Sequence, residues 1–286
     1  MPELLEQPAF LLSIVALIGL LIGSLLNVVI YRLPIMMAHA WRRECREFLE
    51  QPLTKETAIS LALPNSHCPH CSAPIRAWQN IPVLSFILLR GRCASCRAAI
   101  SLRYPAIELI TGALSLAAGT HFGFESMEIV GALIMIWCLI ALTWIDIDTQ
   151  LLPDSITLPL LWLGLLFNLN DLFTDITSAV VGAVAGYLTL WSVYWGFKLL
   201  SGKEGMGYGD FKLLAALGAW FGWQALPLII LLSSFVGALI GIILIVAGRQ
   251  GREVHMPFGP YLAGAGLLCL FFGDTLISQY FNIVGM

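Results

Sequence analysis

Between Phe10 and Ile30 the chain carries no charged residue, a stretch of the roughly 20 residues that a helix needs to cross the hydrocarbon of a bilayer. Seven further apolar runs follow. The eight fall at about 10–31, 104–120, 129–146, 152–169, 177–199, 210–222, 225–247 and 258–280. The run at 210–222 is short, and Pro153 and Pro159 interrupt the start of the fourth. Inside a bilayer the backbone must satisfy its own hydrogen bonds, which favours helices. The expected fold class is therefore an all-α polytopic membrane protein with about eight transmembrane helices. Composition agrees: 58% of residues are hydrophobic and 12% charged, where charged residues in soluble domains run near a quarter. The first run follows Glu3 and Glu6 with no basic residue before it, so it reads as a retained helix rather than a signal peptide.

Charge sets the expected orientation. Residues 32–103 hold ten of the fifteen Lys and Arg (Arg32, Arg42, Arg43, Arg46, Lys55, Arg76, Arg90, Arg92, Arg97 and Arg103) against four Glu. A basic segment flanking a membrane helix belongs on the cytoplasmic side, and this explains it more simply than nucleic acid does. The N-terminus then lies outside. The outer loops 121–128, 170–176 and 223–224 contain no Lys or Arg, and the inner loops 200–209 and 248–256 carry Lys203, Arg249 and Arg252. Three parts are expected: a first helix, 1–31; a cytoplasmic loop domain inserted between helices 1 and 2, 32–103; and a seven-helix membrane domain, 104–286.

Gly19 and Gly23 in the first run suggest close helix packing, and Asn27 a hydrogen bond across an interface. Pro34 is expected to end that helix, with Arg32 near the headgroups. Trp41 to Glu50 has the character of an interfacial amphipathic segment. Cys68-Pro-His-Cys71 and Cys93-Ala-Ser-Cys96 have the spacing of a closed four-thiolate zinc site. A loop-rich segment with little core would gain its stability from such a metal. A redox dithiol pair or thiols without a metal role are the competing readings. His67 and His70 lie nearby, but four sulfurs complete a tetrahedron. Cys45, Cys138 and Cys269 are isolated and read as packing residues. Glu108, one turn into the second run, either snorkels to the interface or points into a polar interior. Gly182 and Gly186 mark a small-residue face in the fifth.

The chemistry converges on two carboxylates. Gly205-Met-Gly-Tyr-Gly-Asp210 sits between apolar runs. It reads either as a turn whose Asp210 caps the next helix or as an acid placed for reaction, with glycines admitting an extended backbone. Asp146 closes the third run, and in this topology both acids lie at one depth near the cytoplasmic face. Two close carboxylates share a proton. One can then act as base on a water while the other, protonated, polarises a peptide carbonyl, which is aspartic-protease chemistry. Asp148 lies two residues from Asp146 and off its helix face. Asp146 is nearer the apolar run and is preferred. Asp154, after Pro153, is a possible cap.

Together these motifs resemble the bacterial type IV prepilin peptidases, relatives of other Gly-x-Gly-Asp intramembrane aspartic proteases. The resemblance covers essentially the whole chain. It rests on Gly23-Ser-Leu-Leu-Asn27 with Arg32-Leu-Pro34, the two cysteine pairs, and Arg103-Tyr-Pro105 with Glu108. It continues through Asp146-Ile-Asp148, Leu151-Leu-Pro-Asp154, Gly205 to Lys212 and Pro257-Phe-Gly-Pro260. It implies catalytic aspartates at Asp146 and Asp210. The implied substrates are type IV prepilins and type II secretion pseudopilins, cut at the cytoplasmic face of the inner membrane after a glycine preceding an apolar helix. It also implies N-methylation of the new N-terminal amine, commonly of Phe, with S-adenosylmethionine as methyl donor. The family associates that step with the loop region, where Gly91 and Arg92 are the positions of interest. Membrane lipid and the substrate proteins are the expected partners. The competing readings are an intramembrane aspartic protease without methyltransferase activity, a proton-coupled transporter, and a zinc-knuckle scaffold.

Overall fold

The computed structural model of the protein describes residues 7–52, 59–203, 205–247 and 256–284. Glu3, Glu6, Lys55, Arg249 and Arg252 lie outside the described residues. Regular structure among the described residues is helical: α1 (Pro8–Phe48), α2 (Leu84–Leu88), α3 (Arg103–Phe122), α4 (Glu128–Thr149), α5 (Asp154–Phe167), α6 (Ile176–Ser201), α7 (Tyr208–Phe221), α8 (Leu226–Val246) and α9 (Gly259–Val284). Five of these, α1, α4, α6, α8 and α9, are long and apolar enough to cross a membrane. The other three expected runs coincide with α3, α5 and α7. Of these, α5 and α7 have 14 residues each, about 21 Å of helix against a hydrocarbon core of about 30 Å.

Pro34 does not end the first helix. It lies inside α1, which continues to Phe48 for 41 residues in all. A proline in a helix interior forfeits one backbone hydrogen bond and crowds the carbonyl four residues back. Good helix formers on its far side, Met36, Met37, Ala38 and Ala40, restart the ladder at once. The stretch from Trp41 is thus an extension of the membrane helix.

Met1–Thr120 forms one compact unit and His121–Met286 a second. In the first, the two glycines of α1 lie against α3. A Cβ on Gly19 would stand 2.6 Å from Ser115 Oγ, and one on Gly23 would stand 2.7 Å from Glu108 Cα. Asn27 Nδ2 donates to the Tyr104 carbonyl at 3.1 Å, the interhelical bond expected of it. Glu108 turns inward: it is buried, and its Oε2 accepts the Val83 backbone N–H at 2.8 Å. Arg32 is buried as well, and its guanidinium donates to the carbonyls of Ser60, Leu61 and Pro64 at 3.0, 3.2 and 2.6 Å. These bonds fix both sides of the loop segment to the α1–α3 pair.

The second unit is built around α7. Phe211, Leu213, Leu214, Leu217 and Trp220 have no exposed surface, so this short helix is enclosed by protein and does not need a full bilayer length. Gly182 of α6 and Gly218 of α7 meet backbone to backbone, and a Cβ on Gly186 would lie 2.7 Å from the Leu214 carbonyl. Among lipids, such close approach supplies packing that apolar area alone does not. Gly164 of α5 makes room for Trp220, whose Nε1 donates to the Leu160 carbonyl at 2.8 Å. Asn168 ties the end of α7. It donates to the carbonyls of Ala219 and Trp220 and accepts the N–H groups of Phe173 and Thr174, at 2.9 to 3.2 Å.

Candidate functional site

Asp146 lies in the last turn of α4. The helix ends four residues later at Gln150, whose backbone takes the left-handed conformation and returns its N–H to the Asp146 carbonyl at 2.9 Å. Leu151 and Leu152 then lead to Pro153, which starts α5 with the fixed φ that suits a helix N-terminus. On the other side α7 begins at Tyr208, with Gly207 as its cap residue in extended conformation. Asp210 is the third helical residue, not the N-cap itself, and the Gly207 backbone N–H acts on its carboxylate, so the acid serves the start of α7 as well as facing inward.

Both carboxylates are buried, Asp146 at 4% exposure and Asp210 at 7%. They are close enough for the charge of Asp146 to act on Asp210. Asp146 Oδ2 accepts the backbone N–H of Gly259 at 2.9 Å, while Asp210 Oδ1 has no hydrogen-bond partner at all. An orphaned, buried carboxylate oxygen costs free energy with nothing to offset it in the resting fold. It is the condition expected of a group whose partner arrives with a reactant.

The neighbouring acids have other surroundings. Asp148 is exposed. Asp154, expected as a possible cap, instead binds Lys212 Nζ through both oxygens at 2.6 and 2.7 Å. That pair joins the start of α5 to the first turns of α7, and since Lys212 and Asp154 are 28% and 55% exposed, it is worth at most about 1 kcal/mol. The three glycines of the motif differ in role. A Cβ on Gly209 would stand 2.7 Å from Leu152 Cβ and one on Gly205 3.0 Å from the Phe197 ring, whereas one on Gly207 would meet only the Gly209 nitrogen, at 3.9 Å. Gly209 is therefore required by the fold, and Gly207 is not.

In the first unit the sulfurs of Cys68, Cys71, Cys93 and Cys96 lie within 4.8 Å of one another, with Cys68–Cys96 at 3.8 Å and Cys71–Cys93 at 4.0 Å. A tetrahedron of zinc–sulfur bonds of about 2.3 Å has edges near 3.8 Å, so the cage has the size of that ion. The two knuckles share one backbone design. The first cysteine of each donates its N–H to the carbonyl five residues on, Cys68 to Ala73 and Cys93 to Ala98. The fifth residue, Ser72 or Arg97, takes positive φ, and an isolated bridge closes each loop, His67 with Pro74 and Arg92 with Ala99. The backbone N–H groups of Cys96 and Ser95 pull the Cys93 thiol down to about 6. At Cys96 the Ala98 N–H acts in the same direction, but desolvation and the surrounding sulfurs outweigh it and hold that thiol up at about 11. To be thiolates together, four sulfurs at this spacing would need a cation among them.

Gly91 and Arg92 lead into the second knuckle. Gly91 has φ +66° with the Phe86 ring 3.0 Å from where a Cβ would be. It donates to the Phe86 carbonyl and accepts from Ile100. The turn accounts for glycine here. Arg32, expected near the headgroups, is instead buried and holds the loop carbonyls, and Gly259, which spacing left without a role, holds Asp146; their partners are far away in sequence, and only the Arg-Leu-Pro and Pro-Phe-Gly-Pro motifs gave a signal.

Comparison with known proteins matches this division. Residues 17–122 match the bacterial peptidase A24 N-terminal domain, and residues 133–242 match the type IV leader peptidase family. The chain is 55% identical to the prepilin leader peptidase/N-methyltransferase of Stutzerimonas stutzeri, covering 95% of this chain and 94% of that protein. It is 54% identical to the protein of the same name from Aeromonas hydrophila, over 96% and 94%. For that of Pseudomonas aeruginosa the identity is 52%, over 97% and 95%. No solved structure matches.

Proposed function

The chain belongs to the type IV leader peptidase family, and we propose that Asp146 and Asp210 are the dyad with which it cuts its substrates. It is a multi-pass membrane enzyme with leader peptidase and N-methyltransferase activity, acting on the prepilins that its relatives are named for. The near full-length identity to those proteins carries this reading of activity. The dyad assignment rests on two buried carboxylates, on the charge of Asp146 acting on Asp210, and on the partnerless oxygen of Asp210.

In the proposed cycle Asp146, with an N–H donor that suits the ionised form, removes a proton from water. The resulting hydroxide oxygen bonds to the scissile carbonyl carbon. Asp210 donates its proton to the carbonyl oxygen, so the charge that develops there is neutralised within a dry site. Collapse of the resulting gem-diol breaks the C–N bond: Asp210 takes back a hydroxyl proton as the carbonyl re-forms, and the proton gained by Asp146 passes to the leaving amine.

The released amine is then the acceptor for a methyl group, which S-adenosylmethionine supplies when bound. Gly91 and Arg92 are the candidate residues for that cofactor, and the bonds of their turn already account for the glycine. Zinc in the four-cysteine cage has a structural part, ordering the segment between α1 and α3. The expected setting is the bacterial inner membrane, with the N-terminus periplasmic, loop 32–103 cytoplasmic and 104–286 as the peptidase domain. Pseudopilins of type II secretion fall in the same substrate class.

Incubating the purified protein with a prepilin, with and without S-adenosylmethionine, tests the reading by mass spectrometry of the product. A shortened chain in both samples, one methyl heavier in the second, is the expected result. A shortened but never methylated product would leave only the protease.

A further inference from the structure

The first turn of a helix has backbone N–H groups with no partner inside the helix. At the start of α9 these are unusually few. Residue 260 is proline and has no N–H, while Tyr261 and Leu262 both donate to the Phe258 carbonyl, at 3.1 and 3.2 Å. The N–H of Gly259 is left, and it goes to Asp146 Oδ2 at 2.9 Å across a separation of 113 residues. The bond lies in the protein interior: Gly259 and Asp146 are both buried. The positive end of the α9 dipole thus faces a carboxylate that sits at the negative end of its own helix.

The same position admits no side chain. A Cβ on Gly259 would stand 2.6 Å from Asp146 Oδ2, 3.1 Å from Asp146 Cγ and 3.1 Å from Leu152 Cδ2. The φ of Gly259 is not in the left-handed region that demands glycine. The requirement is space for the carboxylate: a methyl here makes the acid turn or shift, and either movement weakens its bond to the Gly259 N–H.

We propose that Gly259, through its backbone N–H and its missing side chain, is the positioning residue for Asp146. It holds Oδ2 and leaves Oδ1 as the oxygen that meets the reacting water. The Pro-Phe-Gly-Pro sequence then has a physical sense: Pro260 starts the helix without offering a competing donor, and glycine is the one residue that can bring its N–H this close. The inference deepens the dyad reading and rests on it.

The test is steady-state prepilin cleavage by wild type, Gly259→Ala and Gly264→Ala, with methylation of an already cleaved pilin peptide measured on the same preparations. Gly264 lies in the same helix with nothing within 4 Å of a Cβ, so its variant controls for alanine in α9. A displacement of about 1 Å in a reacting group costs on the order of a hundredfold in rate. Gly259→Ala is expected to lose about that much in kcat, with KM little changed and methylation retained. A kcat within threefold of wild type, or a raised KM at unchanged kcat, would overturn the proposal. So would parallel loss of both activities that is rescued in Gly259→Ala/Leu152→Ala, because contact with Leu152 rather than with Asp146 would then be the cause. Persistent loss of kcat in that double variant, with methylation intact, is the result expected here. If wild type itself fails to cut, the functional reading falls first, and that arm separates the two failures.

Discussion

At the scale of single residues, the informative polar groups are those buried with complete bonding and those buried without it. Asn168 is the first kind: each of its side-chain donors and acceptors is engaged by backbone groups near the C-terminal end of α7. Removing it strands two carbonyls and two N–H groups. Asn168→Ala should cost about 2–4 kcal/mol, read as a lower thermal midpoint in detergent. An unchanged midpoint would mean that water replaces the amide. Asp210 is the second kind, with an oxygen that has no partner. The contrast gives Asn168 a structural duty and leaves Asp210 free for the chemistry proposed for it. Sequence alone distinguishes Asp146 from Asp148 by one fact, its closeness to the apolar run, and burial agrees: Asp146 is enclosed and Asp148 exposed. The donor to Asp146 is not legible in sequence, since an N–H carries no side-chain signature and its partner lies 113 residues away.

Among helices, membrane packing replaces the hydrophobic effect with closeness of backbone. The Gly182–Gly218 contact leaves no room for a methyl on either side, and α6 must lie there for Phe211 and Leu214 to be covered. Gly218→Val should therefore part α6 from α7 and destabilise the second unit by more than the roughly 1–3 kcal/mol usual for overpacking, because backbone cannot rotate away. Folded yield and thermal midpoint measure it, and wild-type values for both would contradict the packing account. Apolar runs make the helices legible to within a few residues at most ends: the run at 177–199 corresponds to Ile176–Ser201, and 258–280 to Gly259–Val284. The first helix is the exception. Pro34 has the sequence character of a terminus, yet helix formers beyond it carry α1 to Phe48. Proline lowers the stability of one turn, and the residues on its C-terminal side decide whether the helix resumes.

For the whole molecule, the two units divide the labour: one holds a metal cage, the other a carboxylate pair. Cage and pair are both legible in the chain, because cysteine spacing and a Gly-x-Gly-Asp sequence are local signals. The ties of the loop are not, since Arg32 gathers carbonyls from a segment about thirty residues away. Cys68→Ser or Cys93→Ser is expected to release zinc and raise the protease sensitivity of residues 59–103, because metal binding and folding of such a segment are coupled. Undiminished zinc in both purified variants would contradict a four-thiolate site. The central claim, that two particular aspartates cut the leader, is tested most directly by prepilin cleavage with purified wild type, Asp146→Asn, Asp148→Asn and Asp210→Asn. Loss of about a thousandfold or more at 146 and at 210 is predicted, the scale of positioned acid–base groups. Asp148→Asn should stay within about threefold, as exposed substitutions do. Cleavage that survives at either 146 or 210 would contradict the dyad.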